Sequence, residues 1–105
     1  MFIQIRTDNQ IAADGERDAR LEDEIRQRLA RFEDRVTDLE VHVSDGNGSN
    51  GASLRCTMEA RMSGMEPIAV ADHGATVDRA VLAAAKKAAR AMDHQVGKRS
   101  DSKGH

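Results

Sequence analysis

Six cationic side chains recur at spacings that would bring them together if residues 75–98 form a helix. At 100° per residue they fall on one arc about 120° wide, which contains no carboxylate. Such an arc binds phosphate groups of a polyanion or is an ordinary solvated face, although solvated faces usually mix Lys with Glu. The six residues, called the basic arc below, are Arg79, Lys86, Lys87, Arg90, His94 and Lys98.

The basic arc belongs to a markedly uneven distribution of charge. Residues 75–105 contain seven Lys and Arg against three Asp, a net charge of +4. The other 74 residues contain nine Arg against fifteen acids, a net charge of −6. The overall charge of −2 therefore hides a basic end on an acidic body. This pattern favours a polyanionic partner for the C-terminal part of the chain.

Residues that could catalyse a reaction or bind a metal lack the neighbouring residues and the spacing that these functions require. Cys56 lies on the apolar side of an alternating segment, which predicts a buried, unreactive thiol. Residues 45–51 resemble a calcium loop in composition, but the twelfth position holds Cys56 instead of the required Glu, so we expect a hairpin loop. The histidines show no metal-binding spacing: His42, His73, His94 and His105. The sequence thus predicts no enzyme, no metal site and no cofactor.

Length and composition predict one domain that is able to bury a core. A chain of 105 residues with a single cysteine needs no disulfide or metal to fold. The first residues lack the features of a signal peptide, and no run approaches the roughly 20 apolar residues that span a bilayer. We therefore expect a cytoplasmic protein with a folded domain at residues 1–99 and a disordered tail at 100–105.

The hydrophobic period changes along the chain in an order that predicts six elements. Apolar alternation predicts strands, and a repeat of three to four residues predicts helices. One apolar face per strand and one apolar stripe per helix favour an α+β fold with two helices on one face of a four-stranded sheet. The order is β-α-β-β-β-α, with strands at 1–6, 39–44, 54–62 and from Pro67, and helices at 16–32 and 75–97.

Further arginines lie on the first helix and on the polar face of the sheet. Arg17, Arg20, Arg28 and Arg31 cluster on one flank of the helix, where Glu24 among them leaves a solvated face as at least an equal alternative. Arg55 and Arg61 project from a strand, where they could contact a polyanion or pair across strands with Glu40 or Glu59. Arg28, Arg31, Arg55 and Arg61 are candidate binding residues of lower rank than the basic arc.

The mode of nucleic-acid binding is limited by the scarcity of aromatic residues. A sheet that reads single-stranded RNA stacks bases on exposed aromatics, and this chain contains only Phe2 and Phe32. The remaining strategy is recognition of the backbone and shape of structured RNA by cations on helices. Small α/β domains of the double-stranded-RNA-binding type use this strategy, and the predicted element order is similar to theirs.

Several short segments, spread from about Ile3 to Arg99, together match the sequence pattern of one protein family. They comprise Thr7–Asn9, Arg31–Phe32, Val36–Thr37, Glu40–Asp45 with Asn47, Arg55–Cys56, Glu59–Arg61, Pro67–Val70, and the set Lys87, Arg90, Asp93, His94 and Gly97. With these segments the chain resembles the ribosome hibernation-promoting factors, a family also called ribosome-associated inhibitors or sigma-54 modulation proteins. The resemblance covers nearly the whole chain.

The resemblance implies a translation inhibitor without catalytic activity. Family members bind the small ribosomal subunit in the channel for messenger RNA and the acceptor-site and peptidyl-site transfer RNAs, in stressed or stationary cells. Their contacts to ribosomal RNA come from basic side chains of both helices and nearby strands. By position, this implies Lys87 and Arg90 first, then Lys86, His94, Lys98 and Arg99, and at lower rank Arg79, Arg28, Arg31, Arg55 and Arg61.

The sequence also departs from the family pattern. Residues 48–52 lack the lysines that relatives often carry there, and we expect no dimerisation domain of the kind that the long forms carry. The chain therefore resembles a short form, which would pair ribosomes only with another hibernation factor or would simply hold them inactive. Two alternatives remain open: a structured-RNA-binding module that does not act on ribosomes, and a protein-interaction module that acts on a transcription factor.

Overall fold

Four strands and two helices form the fold, in the order predicted from the sequence. The computed structural model describes residues 1–45 and 53–103, with side chains as far as residue 97. The strands lie side by side in chain order, β1 parallel to β2 and the other neighbours antiparallel. The elements are β1 (Phe2–Thr7), α1 (Gly15–Arg28), β2 (Val36–Asp45), β3 (Leu54–Met62), β4 (Ile68–Gly74) and α2 (Val77–Lys103).

The two faces of the sheet differ as the alternation predicted. One row across all four strands consists of Ile3, Leu39, Ala60 and Ile68, all buried beneath the helices. The neighbouring row consists of Gln4, Glu40, Glu59 and Ala69 on the opposite face. Successive residues of a strand point to opposite faces, so both helices cover one face and the other stays open. The predicted α+β architecture is confirmed.

α1 begins where the sequence indicates and ends earlier than predicted. Asp14 caps it by accepting a hydrogen bond from the Arg17 backbone N–H at 3.0 Å. The expected helix at 16–32 stops at Arg28, and a 3₁₀ turn follows at Ala30–Phe32. The reason is that a 3₁₀ turn brings residues three apart onto one side, which buries both Leu29 and Phe32 while the chain turns towards β2.

α2 packs mainly against β4 and β3, with α1 beside it. Thr76 caps it, its Oγ1 accepting a hydrogen bond from the Arg79 N–H at 3.1 Å. The helix continues to Lys103, so the predicted end at Gly97 is wrong. Gly within a helix costs only about 1 kcal/mol and does not by itself end one. Residues 100–103 of the expected tail are thus helical, residues 104–105 lie outside the described part, and the domain boundary at 99 stays a prediction.

Within residues 1–45 and 53–103, neither helix offers an apolar stretch of the length that crossing a bilayer requires.

Gly74 allows the end of β4 to approach the first turn of α2. A Cβ at this position would lie 2.4 Å from the Ala80 backbone nitrogen, a distance that only a backbone shift could relieve. We expect Gly74→Ala to lower the free energy of unfolding by about 1–3 kcal/mol, as overpacking does. Urea denaturation measures the loss. Gly15→Ala is the control, because nothing lies within 4 Å of its added Cβ; equal stability of both variants would contradict the prediction.

Candidate nucleic-acid interface

The described members of the basic arc lie together on the outer face of α2. Their side chains point away from the stripe that packs on the sheet, so the helix separates a cationic side from an apolar one. The exposed members are Arg79, Lys86, Lys87, Arg90 and His94, and the buried stripe includes Val81, Ala88 and Met92. The side chains of Lys98 and Arg99 lie outside the described residues, so their place in the site stays a prediction.

The arc cations face water without acidic partners. Among the described side chains, no carboxylate lies within ion-pair distance of any of them. Lys87 has one contact, since its Nζ donates a hydrogen bond to the Ala71 carbonyl oxygen at 2.9 Å. Ala71 belongs to the edge strand β4, so this bond occupies part of an otherwise open strand edge. Because an ammonium group has three donors, Lys87 can still reach a phosphate.

The two carboxylates on the described part of α2 are held on the flank that faces α1 and the 3₁₀ turn. Asp78 accepts a hydrogen bond from Arg20 Nη2 at 2.6 Å. Asp93 accepts two from Arg31, from Nε at 3.2 Å and from Nη2 at 2.5 Å. The hydrogen bond to its carboxylate raises the pKa of each arginine above its usual range. Both arginines stay charged at any physiological pH, so both carboxylates keep a cationic partner.

The two lower-ranked arginines near the first helix differ in their surroundings. Arg28 is exposed at the end of α1 and has no ion pair among the described residues. Arg31 lies in the 3₁₀ turn, paired with Asp93 and stacked over the Phe32 ring, with 4.7 Å between its guanidinium carbon and the ring centroid. Arg28 is therefore free to bind an anion, whereas two of the N–H donors of Arg31 are engaged with Asp93.

The strand arginines lie on the open face of the sheet. Arg61 forms an ion pair at 3.9 Å with Glu59, which lies on the same strand. The alternative of a pair with Glu on a neighbouring strand is therefore not observed for Arg61. The cross-strand pair on this face joins Arg6 to Glu40, also at 3.9 Å. Arg55 is exposed and has no ion pair in the described part of the chain. It lies near the start of β3, which follows the hairpin loop predicted at residues 45–51; residues 46–51 of that loop lie outside the described residues.

The candidate residues lie on two sides of the sheet. The basic arc lies on the helical layer and reaches the β4 edge through Lys87, whereas Arg55 and Arg61 lie on the open face. The open face also carries as many acids as arginines, since Asp38, Glu40 and Glu59 accompany Arg6, Arg55 and Arg61. The arc is therefore the stronger anion site.

Aromatic residues give the open face no platform for base stacking. Phe2 is 63% exposed at the edge of the sheet, and Phe32 is buried in the core. A single exposed ring contrasts with the two or three stacked bases of RNA-reading sheets. The structure thus favours binding through phosphates over reading of bases.

Cys56 is shielded from chemistry by the core. Burial, with a smaller contribution from Asp72, raises the pKa of its thiol to about 12. Because only the thiolate is nucleophilic, we expect no alkylation by iodoacetamide at about pH 8 while the protein is folded. Mass spectrometry of the treated protein checks this, with urea-unfolded protein as the control that reacts. Rapid labelling under native conditions would contradict the burial.

The three histidines in the described part of the chain lie on different elements. His42 Nε2 lies 2.8 Å from Asp8 Oδ1, and His73 and His94 are exposed on other elements. No group of three potential metal ligands occurs in the part of the chain that the structure describes.

Sequence reasoning did not identify the partners of the α2 acids. Arg20 and Asp78 are 58 residues apart, and Arg31 and Asp93 are 62 apart. No local spacing indicates pairs of this separation, because they form only when the two helices pack side by side. The same applies to the contact between Lys87 and Ala71.

Comparisons with known proteins identify the fold. No protein-family model and no curated protein sequence matches the chain. Among solved structures, the N-terminal domain of Protein Y from Thermus thermophilus is similar, with a TM-score of 0.68 and 18% identity over 86% of this chain and 93% of that one. A ribosomal subunit interface protein from Coxiella burnetii has a TM-score of 0.69 and 11% identity, over 95% and 99% of the two chains. The fold that the sequence resemblance implied is confirmed.

Proposed function

We propose that this protein binds the small ribosomal subunit through the basic arc of α2 and thereby inhibits translation. The observation that carries the proposal is an exposed set of cations on one helix face without acidic partners among the described residues. Its fold matches that of a protein described as a ribosomal subunit interface protein, and the sequence resembles the hibernation-promoting factors. The fold supports a ribosome-associated role, and the charge pattern supports ribosomal RNA as the proposed contact.

Binding rests on phosphate contacts rather than on base reading. Lys87 and Arg90 make the central contacts, three residues apart on the helix, so both can reach one RNA strand. Lys86, Arg79 and His94 flank them, and Lys98 and Arg99 extend the site along the helix. Arg28, Arg55 and Arg61 contribute at the periphery, if the ribosome encloses the domain.

The proposed setting is the cytoplasm of stressed or stationary cells. By occupying the channel for messenger RNA and transfer RNA, the domain would keep ribosomes idle without catalysing a reaction or using a cofactor. Another hibernation factor is a further candidate partner in this setting.

Sedimentation with purified ribosomes tests the proposal directly. We expect the protein to pellet with the small subunit and with intact ribosomes, and to inhibit a cell-free translation reaction. Equal binding to free RNA hairpins without inhibition would favour a general RNA-binding module. Binding to a transcription factor that survives ribonuclease treatment, without ribosome binding, would favour a protein-interaction module.

Binding to ribosomes should be strongly sensitive to salt. Each phosphate contact adds roughly 0.7–0.9 to the slope of log affinity against log salt, because counterions are released. With about four to six contacts, each doubling of the salt concentration should lower the affinity roughly sevenfold to fortyfold. Affinities measured at several potassium chloride concentrations give the slope. A flat response would exclude phosphate binding by the arc.

A further inference from the structure

The two carboxylates on the described part of α2 border the basic arc. Asp93 is adjacent to His94 in sequence and lies three residues from Arg90, the spacing at which side chains meet on a helix. Asp78 directly precedes Arg79. Left without a partner, Asp93 would bind Arg90, and either acid would repel an approaching phosphate.

Both carboxylates are instead covered by arginines from outside α2. Arg20 of α1 covers Asp78, and Arg31 of the 3₁₀ turn covers Asp93 with two of its five N–H donors. Stacking on Phe32 holds the Arg31 guanidinium at Asp93. Each ion pair has no net charge. The carboxylates therefore do not reduce the positive electrostatic potential of the arc cations beside them.

We infer that Arg20 and Arg31 are positioning residues, which neutralise Asp78 and Asp93 so that the basic arc stays free for phosphates. This inference rests on the proposed function and gives Arg31 a role other than the direct RNA contact expected from the sequence. Arg31 acts through Asp93: its guanidinium keeps that carboxylate on the α1 side and away from Arg90. Arg20 acts in the same way on Asp78.

A stabilising role does not account for these pairs. All four side chains are between 40% and 56% exposed, and exposed ion pairs contribute little to folding. Their removal should therefore leave the fold intact and change binding alone. This makes the inference testable with variants that fold normally.

A double-mutant cycle separates positioning from direct contact. We expect Arg31→Gln to weaken binding to small ribosomal subunits roughly two- to fivefold at low ionic strength, because Asp93 then acts on the arc. Asp93→Asn alone should bind at least as tightly as the natural protein. The double variant should recover to within about twofold of the natural protein, since it contains neither charge. Arg31→Lys, which keeps the cation, should also bind normally.

Two outcomes would overturn the inference. If the double variant binds as weakly as Arg31→Gln, then Arg31 contacts RNA itself. If Arg31→Gln binds as tightly as the natural protein, the carboxylate has no influence on the arc. Thermal unfolding of each variant confirms that the fold is unchanged, and the loss in Arg31→Gln should shrink as salt screens the charge. The pair Arg20→Gln and Asp78→Asn provides an independent second cycle.

A second polyanion distinguishes failure of this inference from failure of the proposed function. The same cycle is measured as the salt concentration at which each variant elutes from a heparin column. The order expected is Arg31→Gln first, then the natural protein and the double variant together. That order on heparin, without any binding to ribosomes, would support the inference while refuting ribosome binding. If all variants bind ribosomes equally well and elute from heparin at the same salt concentration, the inference is refuted while the proposed function stands.

Discussion

Reversing two charges at the centre of the basic arc should abolish ribosome binding. In the double variant Lys87→Glu and Arg90→Glu, two phosphate contacts are lost and two repulsive charges take their place. We expect the affinity for small subunits to fall at least roughly a hundredfold, because contacts of this kind dominate binding to RNA backbones. Co-sedimentation at low salt measures the loss, and inhibition of cell-free translation should disappear with it.

The fold of this double variant should persist. Both side chains are exposed, and surface substitutions usually change stability by no more than about 0.5 kcal/mol. Loss of the bond from Lys87 to the Ala71 carbonyl adds at most about 1.5 kcal/mol. Circular dichroism and thermal unfolding check this. A folded variant that still pellets with ribosomes at normal strength would refute the assignment of α2 as the RNA-binding element.

A matched control holds the change in net charge constant. Arg6→Glu with Arg35→Glu reverses two exposed arginines away from α2. If contacts by the arc determine binding, this control should lose far less affinity than the variant at Lys87 and Arg90. Equal losses would mean that overall charge, and not the arc, governs the interaction.

Truncating Leu29 should destabilise the protein without touching the interface. Leu29 follows α1 and is completely buried, so Leu29→Ala removes apolar contacts and leaves a cavity. Substitutions of this type lower the free energy of unfolding by about 2–5 kcal/mol. Urea denaturation measures the change. Where the variant remains folded, its affinity for ribosomes should equal that of the natural protein.

Leu82→Ala provides the comparison for this prediction. Leu82 is half-buried on α2, outside the core cluster, and alanine favours the helix. It should cost less than half as much stability as Leu29→Ala. A similar loss in both variants would show that burial in the core is not what makes Leu29 important.

The sequence by itself was sufficient to predict the elements and the sides they bury. Alternation in β3 and the repeat in α2 depend on neighbours two to four residues apart, so they can be read without knowledge of the fold. The same local geometry predicted the basic arc, because Lys87 and Arg90 share a helix face in any fold that keeps the helix. The predicted ends of the elements were less accurate. α2 continues past Gly97, and α1 ends at Arg28, before Leu29 and the 3₁₀ turn that follows it.

Only the tertiary structure decided which charges are available to a partner. The arginines at 20, 28 and 31 look equivalent along the chain, yet Arg28 is open while Arg20 and Arg31 cover acids of α2. Likewise, the distance between the arc and Arg61 depends on which side of the sheet the helices cover. Pairing between residues some 60 positions apart requires α1 and α2 to pack side by side, and no local period encodes that contact.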